Sequence, residues 1–431
     1  MKSHVLRSLI LIQTILLASI TVEASTAFMA VKGKRVLTGR NGDWGNLNIR
    51  MRVLPASEGK YGRIYLGAEG GQGVGTFNNT TGMNDQGLWY GATSLYDGEA
   101  LPVRNDIRNY YNKPTLNVDL VQRVMEVCST VDEVIEYFTK YYYPVWNGHD
   151  LFVDRNGNSV IIEFGEKDVV FVRRSGDHQV MTNFPNADTL NARWYNCYRY
   201  KMADRMLAEA QNISTDLFRS VCDAVHLRGK NPTSLSTVYD VTTGGLYVYY
   251  FHNYEEVLVF NVYDELAKGE KYYVLPDYFR QTKANYPKKG ESVSPSSVTF
   301  SWNGNAQGYD LYYSTDPSSL GAIPVRACAS VSPVQSSAGF SILCIGVLVL
   351  GVGSQRGKRV LVFLIGVVMI SAFVSCTLET VVESPFAPSS IEHHLTVKNL
   401  QPNTQYYWKV VAQEPGDVRS QSSVQTFRTT G

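Results

Sequence analysis

Val22-Glu23-Ala24-Ser25-Thr26-Ala27-Phe28 and, shortly after, Gly39-Arg40-Asn41-Gly42-Asp43-Trp44 are the two stretches on which the reading of this chain turns. The first closes an N-terminal leader. Lys2 and Arg7 form a short basic region and Leu9 to Ile20 an apolar one. Val22 and Ala24 stand at the two positions before the cut where a signal peptidase needs small residues. Removal of residues 1–24 as a signal peptide is therefore expected, and it leaves Ser25 as the first residue. A serine at a chain start carries a hydroxyl and a free α-amine together. The amine, with a pKa of about 8, can take the hydroxyl proton directly or through a water, so one residue supplies nucleophile and base. Many exported chains begin with a small residue, so the cleavage motif alone does not make an active site.

The second stretch adds to the first. A strand over Thr26–Val31, a turn at Lys32-Gly33-Lys34 and a second strand from Arg35 form a hairpin, which returns Arg40 and Asp43 to the neighbourhood of Ser25. A carboxylate there can hold the terminal amine, and a guanidinium can favour a deprotonated nucleophile or a developing anion. On residue types alone, the same pattern also describes a polar turn with a surface ion pair.

Ser-Thr-Ala-Phe followed by Gly-Arg-Asn-Gly-Asp-Trp resembles the start of the choloylglycine hydrolase and penicillin V acylase group, N-terminal-nucleophile hydrolases of linear amides. Three further segments fit in order. Gly82-Met83-Asn84-Asp85-Gln86-Gly87-Leu88 resembles the G-M-N-E-x-G-L block of that group, with Asp for Glu. Asp154 through Gly157 to Ile162-Glu163 resembles its D-x-x-G-x-x-x-x-I-E strand pair. Met181-Thr182-Asn183-Phe184-Pro185 resembles its T-N-x-P block. The resemblance covers about residues 25–285. It implies an α+β fold, the αββα sandwich of the N-terminal-nucleophile hydrolases.

Residue by residue, the resemblance places Ser25 where the group has a Cys nucleophile. Arg40 matches the Arg beside that nucleophile, Asp43 the carboxylate that orients the α-amine, and Asn183 the side-chain amide that donates to the oxyanion. A second oxyanion position, counted on from the G-M-N-E-x-G-L block, falls at Ser94. The group also has a later Arg that supports the nucleophile, for which Arg228 in His226-Leu227-Arg228-Gly229 is a loosely spaced match. The departure at residue 25 is large. A thiol with a pKa of about 8.5 gives some thiolate unaided, whereas a serine hydroxyl gives essentially none and depends wholly on the amine.

Two readings follow from that difference. One is an exported hydrolase of C–N bonds in linear amides that works through an acyl-enzyme on Ser25. The other is a catalytically inactive cell-surface binding protein on the same fold, and an N-acyltransferase is a third use of the same chemistry. The expected substrate is a small acylated amide, such as an acylated β-lactam, a conjugated bile acid or an N-acyl amino compound. The scheme needs no metal or cofactor, and the sequence has neither an H-E-x-x-H nor a C-x-x-C motif. The net charge of +1 gives no electrostatic case for nucleic acid.

Secondary structure is legible in patches. Ser159–Glu163, Val169–Arg173, Tyr247–Phe251 and Val257–Val262 read as strands. Helices are expected over Asn117–Tyr142, with a break near Ser129-Thr130, and over Asn191–Gln211. Trp89 and Tyr90 are candidates for an aromatic groove, against the commoner use of such residues in a core. The Gly-rich run Gly70–Gly75 lacks the Lys-Ser/Thr of a phosphate loop and reads as a flexible loop.

Composition changes at Tyr286. Residues 286–296 are a Pro-, Ser- and Lys-rich linker. Residues 297–431 then read as an all-β sandwich, and Leu400-Gln401-Pro402-Asn403-Thr404-Gln405-Tyr406-Tyr407-Trp408-Lys409-Val410 resembles the L-x-P-x-T-x-Y-x-W-x-V signature of fibronectin type III domains. This module is expected to contact a cell surface or polysaccharide. It is interrupted by residues 338–376, two apolar runs around the basic Ser354–Arg359. That pattern suits a transmembrane hairpin with the basic loop inside the cytoplasm and the catalytic domain outside it, or else a buried apolar pair within an enlarged domain. The six cysteines form no recognisable disulfide framework and are expected to be mostly buried free thiols.

Overall fold

The computed structural model describes residues 24–69, 77–95, 112–143, 148–165, 168–187, 196–229, 231–320, 325–327, 390–413 and 418–431. The leader before Ala24 and the apolar segment 338–376 lie outside the described residues. Among the described residues, no helix is long and apolar enough to cross a membrane.

The hairpin that opens the chain organises everything else. Strand β1 (Ala24–Lys32) turns at Gly33, whose φ of +59° favours glycine, into β2 (Arg35–Asp43), with Ser25 opposite Gly42 and Ala24 opposite Asp43. Side chains alternate across the strand. Ala27 and Met29 face one core, and Phe28 and Ala30 face another. β1 is thus covered on both faces, which is why its sequence is apolar almost throughout.

The first sheet runs β10 (His178–Met181), β1, β2, β11 (Thr233–Asp240), β12 (Gly245–Tyr250) and β13 (Asn253–Asn261). The second runs β14 (Lys271–Val274), β3 (Ile49–Leu54), β4 (Arg63–Glu69), β5 (Phe77–Asn84), β6 (Trp89–Ser94), β7 (Gly148–Val153), β8 (Ser159–Phe164) and β9 (Val169–Arg173). The sheets face each other across a core that includes Met29, Val36, Met51, Leu66, Trp89, Leu151 and Tyr239.

Helices cover both outer faces. α1 (Leu120–Val127) and α2 (Val131–Lys140) lay Val124, Val134 and Phe138 on Tyr90, Phe152 and Val160 of the second sheet. α3 (Tyr198–Ala208) and α4 (Thr215–Ala224) lay Leu207, Phe218 and Val221 on Phe28, Leu37 and Val238 of the first. The order is helix, sheet, sheet, helix: the αββα sandwich expected from the sequence. Phe28 lies 5.2 Å from the Phe218 ring, and burial of a side chain of this size contributes roughly 1.5–3 kcal/mol.

Several boundaries differ from the sequence reading. The break expected near Ser129-Thr130 within Asn117–Tyr142 is present, because Thr130 caps α2 in a reciprocal capping box with Glu133, while the two helices are shorter at their outer ends than that span. The helix expected over Asn191–Gln211 spans only Tyr198–Ala208 among the described residues. Val262 does not end a strand but begins α5 (Val262–Ala267), whose N-terminal amides Tyr263 N and Asp264 N donate to the Asn261 side chain. Trp89 and Tyr90 are fully buried in two different cores and line no groove.

Beyond β14 the chain forms a second sandwich. One face holds β15 (Lys283–Tyr286), β17 (Ser297–Gly304) and β20 (Ile391–Lys398). The other holds β19 (Val325–Ala327), β18 (Tyr309–Ser314), β21 (Gln405–Ala412) and β23 (Gln425–Thr429). Phe300, Trp302, Tyr309, Trp408 and Phe427 fill the space between them. The segment read as a linker contains β16 (Glu291–Val293), which pairs in parallel with β23 and so belongs to this sandwich. β22 (Ser420–Ser422) pairs with β13, which makes the two modules share one hydrogen-bonded sheet. At that seam the buried Glu256 carboxylate accepts from the backbone amides of Arg280 (2.6 Å), Gln281 (3.1 Å) and Thr282 (3.1 Å) and from the Ser420 hydroxyl.

Candidate active site

Ser25, Arg40, Asp43 and Asn183 come together at one end of the first sheet. Ser25 sits near the start of β1 and is buried. Arg40 lies on β2 and reaches back across the hairpin. Its Nη2 is 3.4 Å from Ser25 Oγ, and its Nε donates to the Ala92 carbonyl at 3.0 Å. The guanidinium lies over the Trp44 ring, 5.0 Å from its centroid. Gly42, opposite Ser25, has no room for a side chain. A Cβ there meets Trp44 at 2.1 Å and Arg40 Nη1 at 2.8 Å.

Asp43 ends β2 and is fully buried. One carboxylate oxygen accepts from the Thr233 hydroxyl and the other lies 3.4 Å from Arg199 Nη1. Burial pushes the Asp43 carboxyl up to about 6, against the opposing pull of Arg199, the Thr233 hydrogen bond and Arg40. Burial also lowers Arg40 to about 10, a value that leaves it charged at neutral pH. No hydrogen bond joins Asp43 to Ser25 among the described residues. The link between them is Arg199.

Arg199, absent from the sequence reading, is the centre of the site. It projects from α3 and donates through Nη1 to the Ser25 carbonyl (2.6 Å) and to Thr26 Oγ1 (2.9 Å), as well as to Asp43. Its Nη2 donates to Asn183 Oδ1 at 2.6 Å. A signal for it exists in the sequence. Arg199, Ala203 and Leu207 are the buried residues of this helix, spaced i, i+4, i+8, so a guanidinium stands on the stripe that should be apolar. Arg228, the looser sequence match for a supporting Arg, instead donates from its Nε to His226 Nε2 at 3.0 Å.

Asn183 follows β10 and is fully buried. Its Oδ1 accepts from Arg199 and from Ser25 N at 3.1 Å, which fixes the amide orientation because only an oxygen can face two donors. Its Nδ2 donates to the Ser94 carbonyl at 2.5 Å. An amide nitrogen carries two hydrogens, so one is left for another acceptor. Ser94, at the end of β6, thus meets Asn183 through its backbone oxygen rather than its hydroxyl. Its neighbour Thr93 donates from Oγ1 to the Thr182 carbonyl at 2.7 Å.

Ala24 is still attached to Ser25 here. Its carbonyl accepts from Ser25 Oγ at 2.6 Å, and the nitrogen of residue 25 is an amide with no basic lone pair. With that bond intact, residue 25 carries a hydroxyl but no free amine beside the cations of Arg40 and Arg199. Among the described residues, no three His, Cys, Asp or Glu side chains gather closely enough to hold a metal ion. Cys128, Cys197 and Cys222 are free thiols.

No protein-family profile and no curated protein sequence matches the chain. Among solved structures it is similar in fold to a variant of the conjugated bile acid hydrolase from Clostridium perfringens, with a TM-score of 0.46 and 17% identity, over 57% of this chain and 96% of that one. It is likewise similar to a penicillin V acylase from Agrobacterium tumefaciens, with a TM-score of 0.41 and 20% identity, over 52% of this chain and 82% of that one.

Proposed function

We propose that the first sandwich, from Ser25 through β14, forms an amide hydrolase that cleaves C–N bonds in small linear amides through an acyl-enzyme on Ser25, after export and removal of residues 1–24. The observation that carries the reading is the convergence on Ser25 of Arg40, Asn183 and the Arg199–Asp43 pair. Each element has a part in acyl transfer. The freed α-amine takes the hydroxyl proton as Oγ attacks the amide carbon. The carbonyl pair of electrons moves onto oxygen, where the remaining Asn183 N–H donates, an interaction often worth about 3 kcal/mol. The α-ammonium returns the proton to the leaving nitrogen, the C–N bond breaks, and water then releases the acid from Ser25 by the same route.

Pairing of Ala24 with Asp43 supports the placement of the base, since an amine freed at residue 25 lies beside the Asp43 end of β2. The negative carboxylate holds the ammonium form, and the positive Arg40 and Arg199 oppose it. This balance keeps the amine near the range where a base works at neutral pH.

The second sandwich reads as a fibronectin type III-like module for cell-surface or polysaccharide contact. Support comes from the strand layout, β17–β20 facing β19–β18–β21–β23, and from the Tyr406 hydroxyl, which accepts from Gln401 N at 2.9 Å, as a tyrosine corner does. Residues 338–376 are read as its membrane hairpin.

The test is direct. Exported protein is sequenced from its N-terminus and assayed on N-acyl amino acids, an acylated β-lactam and a conjugated bile acid. A start at Ser25, turnover of one class, and its abolition in Ser25→Ala are expected. Full turnover in Ser25→Ala refutes the nucleophile. A start elsewhere with no turnover favours the inactive binding protein, and transfer to an added amine marks an acyltransferase.

A further inference from the structure

Beneath the segment that carries Asn183 lies a buried pair of side chains with no part in the scheme above. His149 is on β7 and Glu163 on β8, and both are almost wholly shielded from water. His149 Nδ1 is 2.8 Å from Glu163 Oε1, and His149 Nε2 is 2.7 Å from the Thr182 carbonyl oxygen. A carbonyl oxygen only accepts, so Nε2 carries a hydrogen. Nδ1 faces a carboxyl oxygen, and two bare lone pairs at 2.8 Å repel, so a second proton lies between them. Glu163 also accepts Asn186 N on Oε1 at 2.6 Å and Ala187 N on Oε2 at 2.8 Å.

These contacts fall on both sides of Asn183. Thr182 immediately precedes it, and Asn186 and Ala187 follow. Between the two grips stands Pro185, which offers no N–H of its own. The Thr182 carbonyl is gripped a second time by Thr93 Oγ1.

We propose that His149 and Glu163 are positioning residues for the oxyanion donor, acting as one clamp that holds the peptide before Asn183 and the amides after it. The inference rests on the acyl-transfer reading, which makes Asn183 a donor to the oxyanion. It assigns a cause to the burial of an ionisable pair whose hydrogen bonds go to Thr182, Asn186 and Ala187 rather than to Ser25. Such a pair is poor at adding stability over an apolar one but good at fixing a unique geometry, since each lone pair and hydrogen has one partner.

Processed protein is compared with His149→Ala, His149→Gln and Glu163→Gln. Active serines are counted with an acylating probe, and kcat per active serine is measured apart from KM. A displacement of the donor of about 1 Å corresponds to a loss of about 100-fold. His149→Ala is expected to lose roughly 10- to 100-fold in kcat with KM nearly unchanged. His149→Gln, which keeps a donor for the Thr182 carbonyl, is expected to recover part of it.

A second readout needs no turnover. Amide hydrogen exchange at Asn186 and Ala187 is expected to quicken in His149→Ala and Glu163→Gln while the amides of β10 stay protected. Unchanged kcat per active serine in His149→Ala, with only a lower melting temperature, overturns the positioning role. Unchanged exchange at Asn186 and Ala187 overturns the clamp itself. A wild-type chain without turnover whose exchange nevertheless responds to these variants refutes the hydrolase and leaves the clamp standing.

Discussion

Replacing Arg199 with methionine removes the one cation that reaches the Ser25 carbonyl, Thr26, Asp43 and Asn183 together. Breaking a buried pair by deleting one partner typically costs about 3–5 kcal/mol, because the other charge stays behind unpaired. The charge left here is Asp43. At the observed 3.4 Å separation, the lost Coulomb attraction is roughly 1 kcal/mol at an effective permittivity of about 80 and roughly 5 at about 20. Asp43 already titrates at about 6 in the fold, above its model-compound value of 3.8. Loss of Arg199 raises it further, by at least about one pH unit.

The sign follows from proton binding. Between its ordinary value and about 6, the folded state keeps a proton on Asp43 that the unfolded chain has released, so the native charge lowers stability as pH rises through that window. In Arg199→Met the window extends upward. The destabilisation is therefore expected to be largest at neutral pH and to shrink toward pH ~4, where Asp43 is protonated in the folded state of both proteins. In the proposed scheme the acid limb of the rate follows the freed α-amine, whose ammonium form Arg199 opposes, so loss of Arg199 is expected to shift that limb up as well. Denaturant unfolding at several pH values and a pH–rate profile measure both effects. Arg199→Lys keeps a charge with fewer directed donors and is expected to lie between the two. A methionine variant with unchanged unfolding midpoint and an unmoved acid limb refutes the central role of Arg199.

Two further outcomes follow from the same kind of reasoning. In Glu256→Gln, an amide NH2 is set among four donors, so at least one hydrogen bond at the seam is lost, at a cost of about 1–3 kcal/mol. Faster amide exchange across residues 280–282 is the expected sign, and unchanged protection there contradicts it. Burial pushes the Cys128 thiol up to about 12 and raises Cys222 further still, so both are expected to resist a thiol-reactive dye at pH 8 until the protein unfolds. Rapid native labelling of either by mass mapping counts against their burial.

What the sequence revealed followed from local chemistry. The hairpin of β1 and β2 was legible because a short apolar run and a Lys-Gly-Lys turn are written into adjacent residues. The approach of Arg40 and Asp43 to Ser25 came with it, since register is fixed once the turn is fixed. Asn183 needed the T-N-x-P block, because nothing short-range ties β10 to β1. Arg199 was missed for the same reason. Its partners are more than 150 residues away for Ser25 and Asp43, and only the fold brings α3 over the end of β1. Counting along the chain reached Ser94, whose carbonyl accepts from Asn183 but, as an acceptor, is not itself a donor to an oxyanion. The strand β16 was hidden because its residues have weak strand character of their own, and it exists by pairing with β23 from the far end of the sequence.

The short contact between Ser25 Oγ and the carbonyl of Ala24 gives the hydrolase reading a sense of time. On the proposed reading, the folded chain would be a latent form while the leader remains, its cations in place and its amine blocked. Cutting a single peptide bond would then act as an irreversible starting signal, issued where the leader is removed. The onset of activity would thus mark delivery of the protein, with the leader itself serving as the safeguard.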